Sequence, residues 1–128
     1  MLRIDGLTRH FGDTVAVDGV TFDVPRGTMT GFVGGNGAGK TTTMRMIMGV
    51  LQPTAGRVLW NGHEAGVADR RRFGYMPEER GLYPKQPVLD QLIYLGRLQG
   101  RTTVGARRVA TDLLDRFGLG ERLTDKLE

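Results

Sequence analysis

The chain contains no cysteine and no long apolar run. The missing cysteine excludes disulfides, thiol catalysis and cysteine-ligated zinc. A membrane-spanning helix needs about 18 consecutive apolar residues, and the sequence has no such stretch. The first five residues include an acid and no extended apolar region, so we do not expect a secretory signal peptide. These absences predict a protein of the cytoplasm.

Lysine is scarce, because nearly all of the basic charge is arginine. Lysine occurs only at Lys40, Lys85 and Lys126, among 18 basic residues against 14 acidic ones. The net charge of +4 is compatible with a nucleic acid, an anionic lipid or a nucleotide as partner, and equally with an ordinary solvated surface. The arginine cluster at residues 70–72 is too short to indicate DNA or RNA, so we expect no nucleic-acid partner.

Glycine and proline divide the front of the chain into short segments that read as strands. The predicted strands are residues 2–5, 20–24, 29–33, 58–60 and 73–76. Residues 29–33 lack strict alternation of apolar and polar side chains, which predicts a strand buried on both faces. The pair Asn61-Gly62 predicts a tight turn after the fourth of these strands.

Helical spacing appears after the third strand and again in the last third of the chain. Met44, Ile47, Met48 and Leu51 recur at i, i+3, i+4 and i+7, which predicts a helix with one apolar face. Two later helices are predicted, one around residues 89–98 that ends near Gly100, and one from a Thr103 cap to a stop at Gly118. We therefore expect a strand-rich part, 1–84, and a helical part, 85–128.

The strongest motif joins the third predicted strand to the first predicted helix. Residues 34–41 match the pattern G-x-x-x-x-G-K-[ST]. Glycines let the backbone turn so that its N–H groups face phosphate oxygens, and the helix that begins near Lys40 directs its positive end at the same place. Lys40 adds a cation, and the Thr41 hydroxyl can ligate the Mg²⁺ that bridges the phosphates. The predicted nucleotide-binding residues of this loop are Gly34, Gly35, Asn36, Gly37, Ala38, Gly39, Lys40, Thr41 and Thr42.

The same loop resembles the phosphate loop of ABC ATPases, and the resemblance covers the whole chain. The family usually has proline at the second position, where this chain has Gly35, which keeps the N–H donors and loosens the loop slightly. Residues 7–12, 17–22, 53–56 and 73–80 also look like strand, turn and Q-loop elements of these ATPases. The resemblance implies an α/β P-loop NTPase fold of the ABC ATPase type, with a mixed β front followed by the start of a helical subdomain.

Two further site residues are implied by the resemblance. Phe11 stands where these ATPases have the aromatic ring that stacks on adenine, and a core phenylalanine is the alternative. Glu78 stands where the family usually has a glutamine that contacts Mg²⁺ and the attacking water. A carboxylate can still ligate Mg²⁺, so the resemblance implies a catalytic and metal-binding role for Glu78 beside Lys40 and Thr41, with a solvated loop acid as the alternative. The segment 77–83 resembles the branch of sodium and drug exporters.

The function implied by the resemblance is that of an ATP-binding subunit of an ABC transporter, with ATP and Mg²⁺ as cofactors. Such a subunit pairs with a second ATPase domain, lies at the inner face of the membrane and contacts a transmembrane permease, here through residues 78–83. The signature motif, the Walker B aspartate, the catalytic glutamate and the switch histidine have no counterpart in these 128 residues. We therefore expect the C-terminal half of the domain to be absent, apolar strand edges to be open, and the fragment alone to bind nucleotide without catalysis.

Other classes of P-loop protein are separated by what accompanies the loop. A soluble ABC-type ATPase of translation or DNA repair is the main alternative, and a binding module without catalysis is another. A P-loop kinase would need a lid and a second substrate site. A GTPase would need an Asn-Lys-x-Asp run, which the sequence lacks. A dinucleotide-binding G-x-G-x-x-G is excluded, since its last glycine would fall on Lys40.

Overall fold

The computed structural model describes residues 1–78 and 81–126. The chain consists of two compact units, one in the range Met1–Tyr75 and the other in the range Met76–Glu128. Each unit has an apolar core of its own. Within the described ranges, no helix combines the length and the apolar character needed to cross a bilayer.

The first unit is built on a four-stranded antiparallel sheet in the order β2-β1-β3-β4. The strands are β1 Leu2–Phe11, β2 Thr14–Val24, β3 Ala55–Trp60 and β4 His63–Glu64. β1 lies between its neighbours, with Ile4 opposite Phe22 on one side and Val58 on the other. Ile4 and Leu7 are completely buried and form the centre of the core. The strands predicted at residues 2–5, 20–24 and 58–60 are thus confirmed, with longer bounds in each case.

Helix α1, Lys40–Ile47, packs its apolar face on this sheet. Ile47 is buried, and Met44 and Leu51 contact the core from its edge, as the helical spacing predicts. Met46 is also buried, although the predicted face did not include it. The helix itself ends four residues before Leu51. Gly49, at φ 75°, takes a left-handed backbone that a regular helix cannot continue through.

Residues 29–33 and 73–76 do not form the strands that the sequence predicts. Met29 and Val33 are almost fully exposed, so the expected burial on both faces is also wrong. A strand requires a neighbour that accepts and donates its ladder hydrogen bonds, and none of the described residues pairs with either segment. Both segments border an apolar groove of about 420 Å³ in the first unit. Residues that line it include Phe22, Phe32, Met44, Trp60 and Phe73.

Two short elements follow the third strand. The predicted Asn61-Gly62 turn is confirmed, with φ of 51° and 91°, and it reverses the chain into the two-residue strand β4. The four-residue helix α2, Val67–Arg70, comes next, and one carboxylate oxygen of Asp69 accepts the N–H of Gly66 at 3.0 Å. The sequence did not predict either element, because two or four residues are too few to show a period.

The second unit is a pair of helices, α3 Val88–Leu98 and α4 Thr103–Arg116, followed by a 3-10 turn at Gly120–Arg122. Its core residues are Leu89, Ile93, Ala106, Ala110 and Leu114. Both predicted helices are confirmed, but the cap of α4 is Thr102 and not Thr103. Thr102 has the extended backbone that a cap requires, and its Oγ1 accepts the N–H of Gly105 at 3.1 Å, whereas Thr103 is already helical.

Candidate nucleotide-phosphate site

The glycine loop lies directly against β2, just before α1. Gly39 has φ 81°, a left-handed backbone that favours glycine. A Cβ atom at this position would overlap the carbonyl oxygen of Ala16 and lie 3.0 Å from Cγ2 of Val17. Glycine is therefore required here both by the backbone angle and by the closeness of β2. This contact fixes the start of α1 relative to the sheet.

The first backbone N–H groups of α1 have no acceptor within the helix. The first intrahelical bond runs from Thr43 N to Gly39 O at 2.8 Å, so the N–H groups of Lys40, Thr41 and Thr42 precede it. Gly39 offers no side-chain cap, and the first turn contains no acidic residue. Residues 34–38 are exposed to solvent. Three N–H groups without an acceptor among the described residues and the positive end of the helix dipole therefore meet at an open surface, which suits an anion.

Lys40 holds its charge inside the same loop. Its Nζ donates to the carbonyl oxygens of Gly34 at 2.6 Å and Gly35 at 2.7 Å. Among the described residues, no carboxylate forms an ion pair with Lys40. The ammonium thus stabilises the loop through neutral acceptors, and its charge stays available to an incoming anion.

The three threonines at the start of α1 have different environments. Thr41 is exposed, and ligation of a cation by its hydroxyl remains a prediction. Thr43 is buried, and its Oγ1 donates to Gly39 O at 2.9 Å, which braces the turn below the loop. The sequence analysis missed Thr43. Its position three residues before Met46, on the buried face of α1, was the available signal.

Phe11 ends β1 and is 49% exposed. This exposure excludes the alternative that Phe11 is a core phenylalanine. Phe11 pairs with Thr14, and Val17, which lies against Gly39, is three residues further along β2. Three residues of strand span roughly 10 Å, so the ring and the phosphate loop lie at the same end of the hairpin. Stacking of this ring on a base remains a prediction.

Arg9 is a neighbour of Phe11 that the sequence analysis missed. Its guanidinium carbon lies 4.6 Å from the centroid of the Phe11 ring. The two residues are two positions apart on one strand, where side chains share a face, and this spacing was the available signal.

Glu78 belongs to the second unit, where it lies on an exposed bend. Glu79 and Arg80, which complete the predicted Q-loop segment, are outside the described residues. The roles assigned to Glu78 in metal binding and catalysis remain predictions.

Residues 83–86 are held by Gln91, a buried polar residue of α3. The Oε1 atom of Gln91 accepts the N–H of Tyr83 at 2.7 Å, and its Nε2 donates to the carbonyl oxygens of Tyr83 at 2.8 Å and Gln86 at 3.0 Å. The Tyr83 ring remains exposed. The sequence analysis missed Gln91, since an amide within an apolar helical pattern was its only signal.

Comparison with known proteins identifies the family of this site. The sequence pattern described as ABC transporter matches residues 17–128. The chain is 47% identical over its whole length to the uncharacterized ABC transporter ATP-binding protein YhaQ of Bacillus subtilis, of which it covers 43%. It is 36% identical over 94% of its length to the daunorubicin/doxorubicin resistance ATP-binding protein DrrA of Streptomyces peucetius, covering 37% of that protein.

A solved structure of an ATP-binding subunit of an ABC transporter superposes with a TM-score of 0.78 at 32% identity. The alignment covers 98% of this chain and 53% of the solved chain. The predicted P-loop fold of the ABC ATPase type is thereby confirmed. The chain spans less than half the length of the two relatives named above. These similarities show that the chain belongs to the ABC transporter family of ATP-binding proteins.

Proposed function

We propose that this chain binds ATP with Mg²⁺ at residues 34–42, as the nucleotide-binding half of an ABC-type ATPase. The observation that carries the proposal is the uncapped start of α1, where free N–H groups and the Lys40 ammonium meet at an exposed surface. A protein that used this helix only for structure would gain from a capping side chain or an acid in the first turn. The α1 start has neither.

Nucleotide binding changes the hydrogen-bond partners of Lys40. Its bonds to the carbonyls of Gly34 and Gly35, in which only the donor is charged, are replaced by bonds to phosphate oxygens, in which donor and acceptor carry opposite charges. The N–H groups of Lys40, Thr41 and Thr42 need no rearrangement, because the packing of Gly39 on β2 already fixes them. The Thr41 hydroxyl holds the metal. Bound ATP and its Mg²⁺ supply the transferable phosphoryl group and the cation that offsets its negative charge.

The remaining parts of the proposal extend beyond the loop. Phe11 stacks on the base, and Glu78 contributes a carboxylate oxygen to the metal and takes part in catalysis. The chain pairs with a second ATPase domain, and hydrolysis by the complete protein drives transport through a permease at the inner face of the membrane. The names of DrrA, a drug-resistance protein, and of the linearmycin resistance protein LnrL of Bacillus subtilis favour export as the direction.

Amide chemical shifts test nucleotide binding directly. We expect Mg-ATP at millimolar concentration to shift the amide signals of residues 34–42 in the ¹⁵N-labelled chain, with Gly39, Lys40 and Thr41 among the most affected. Adenosine is the matched control, since it lacks the phosphates and should leave these signals in place. Shifts confined to other residues, or none, would contradict the phosphate-loop assignment.

The absence of cysteine provides a test of the permease contact. A Tyr83→Cys chain carries a single thiol on the exposed loop, and Arg107→Cys places one on the exposed surface of α4. We expect a thiol cross-linker to join the Tyr83→Cys protein to an integral membrane protein in cells, and the Arg107→Cys protein much less. Equal cross-linking of the two variants would contradict a contact through residues 78–83.

A further inference from the structure

Arg9 makes two contacts, one with a backbone carbonyl and one with an aromatic ring, that an exposed arginine on a strand does not require. Its Nη1 donates to the carbonyl oxygen of Gln52 at 2.9 Å, on the segment that joins α1 to β3. That segment is also bound to β1, because Thr54 N donates to Thr8 O at 2.8 Å and Thr54 Oγ1 accepts the N–H of His10 at 3.1 Å. The guanidinium is therefore anchored between two fixed stretches of backbone.

The anchored guanidinium faces the Phe11 ring. The distance of 4.6 Å from its central carbon to the ring centroid is within the range of a cation–π contact. The Nε atom of Arg9 is buried without a hydrogen-bond partner in the described residues. A buried N–H that stays unpaired is costly, so the position is held by the other contacts of this side chain. The ring has the guanidinium on one side, and Phe11 as a whole is about half exposed.

We propose that Arg9 is a positioning residue for the nucleotide base. It supports one face of the Phe11 ring and holds the ring at a fixed angle, so that the opposite face is presented to the base. This inference rests on the proposed function, because it requires that Phe11 stack on the base of a bound nucleotide. Arg9 acts only through Phe11 and does not touch the nucleotide.

The experiment compares Mg-ATP with Mg-triphosphate, which has the phosphates but no base. We expect Arg9→Met, which keeps a long apolar stem and removes the charge, to weaken ATP binding about two- to fivefold and to leave triphosphate binding unchanged. Phe11→Ala should weaken ATP binding by more than Arg9→Met does. The double variant should bind ATP as Phe11→Ala does, because Arg9 has no ring left to support.

Arg3→Met is the matched control. Arg3 lies on the same strand and is exposed, and its substitution removes the same charge. The neighbour of Arg3 is the carboxylate of Asp23 at 3.7 Å and not an aromatic ring. We expect it to leave the ratio of ATP to triphosphate affinity at the wild-type value. If Arg9→Met unfolds the chain, Arg9→Lys serves in its place, since it retains the cation and should keep part of the ATP preference.

The outcomes separate this inference from the proposed function. Equal losses for ATP and triphosphate, or a further loss in the double variant, would show that Arg9 acts by general charge or fold and would overturn the inference. Normal ATP affinity in Arg9→Met beside a loss in Phe11→Ala would overturn it while leaving the base stack intact. Normal ATP affinity in Phe11→Ala would overturn both the stack and the role of Arg9. Failure of the wild-type chain to bind either ligand would refute the proposed function itself.

Discussion

Helices α1 and α4 begin in opposite ways. At α4 the Thr102 hydroxyl accepts the N–H of Gly105, so the helix satisfies one of its own first donors. At α1 the preceding residue is Gly39, which has no side chain to offer, and the first turn is left open. The capped start belongs to a helix whose role is packing, and the open start belongs to the predicted phosphate site.

The difference shows where the stability of each helix comes from. A threonine cap contributes about 1 kcal/mol to a helix, and α1 forgoes this contribution. α1 depends instead on the burial of Thr43, Met46 and Ile47 against the sheet. Its donors can then stay free for a ligand without loss of the fold. The comparison leads to four predictions, ordered from the largest expected effect to the smallest.

Removal of the Lys40 charge should have the largest effect on the open start. Hydrogen bonds to charged groups contribute about 1.5–3 kcal/mol, so we expect Lys40→Ala to weaken Mg-ATP binding roughly 10- to 100-fold in a calorimetric titration. Lys85→Ala is the matched control, because it removes the same charge from an exposed loop of the second unit. Unchanged Mg-ATP affinity in Lys40→Ala would contradict the assignment of residues 34–42 as a phosphate-binding loop.

A methyl group at Gly39 should disturb both the loop and the fold. Gly39→Ala places a Cβ against β2 in a left-handed backbone, and we expect it to lower the unfolding free energy by about 1–3 kcal/mol and to weaken nucleotide binding. At Gly35 a Cβ would meet nothing within 4 Å, so Gly35→Ala should be tolerated. Denaturant titrations of the two variants would contradict the geometry if both lost the same stability.

Loss of the Thr102 hydroxyl should affect stability without affecting the ligand. We expect Thr102→Ala to lower the unfolding free energy by about 1 kcal/mol and to leave Mg-ATP affinity unchanged. Thr102→Ser keeps the accepting oxygen and should retain most of the stability in thermal melts. An equal loss in the serine variant would show that the methyl group, and not the cap, stabilises α4.

The smallest effect concerns Asp69, which serves the start of the short helix α2. The hydrogen bond from Gly66 N, and then the contact with His63, hold the pKa of this carboxyl below its ordinary value of 3.8. A lowered folded-state pKa contributes stability above the unfolded value, and that contribution is lost as the pH falls below about 3.8. We expect Asp69→Asn to flatten the acid limb of the melting temperature against pH. Identical acid limbs in the two proteins would contradict this assignment.

The phosphate loop could be predicted from the sequence because its function restricts single positions. Gly39 and Lys40 are needed by backbone geometry and charge within one short segment, so neither depends on distant parts of the chain. The helices were predictable for a similar reason, since a helix forms its hydrogen bonds within itself. The spacing placed Ile47 on the buried face of α1, but it did not include Met46, which is also buried.

The strands at residues 29–33 and 73–76 show what the sequence does not determine locally. Their apolar residues have the composition of strands, but a strand forms only when a neighbour completes its hydrogen bonds, and composition does not name that neighbour. β1 had its partners in the hairpin with β2 and in β3, whereas the segment at Met29 has none among the described residues. The hydrogen bond from Arg9 to the carbonyl oxygen of Gln52 is non-local in the same way, because its two residues are 43 positions apart in the chain.

The three hydrogen bonds of Gln91 have a mechanical consequence. The Gln91 amide binds the N–H and the carbonyl oxygen of Tyr83 and also the carbonyl oxygen of Gln86. A shift of this loop therefore either breaks these bonds or moves α3 with it. A protein that pressed on Tyr83 would displace the helix as one piece with the loop. The resistance to such a displacement would come from the apolar contacts of Leu89 and Ile93 in the second core.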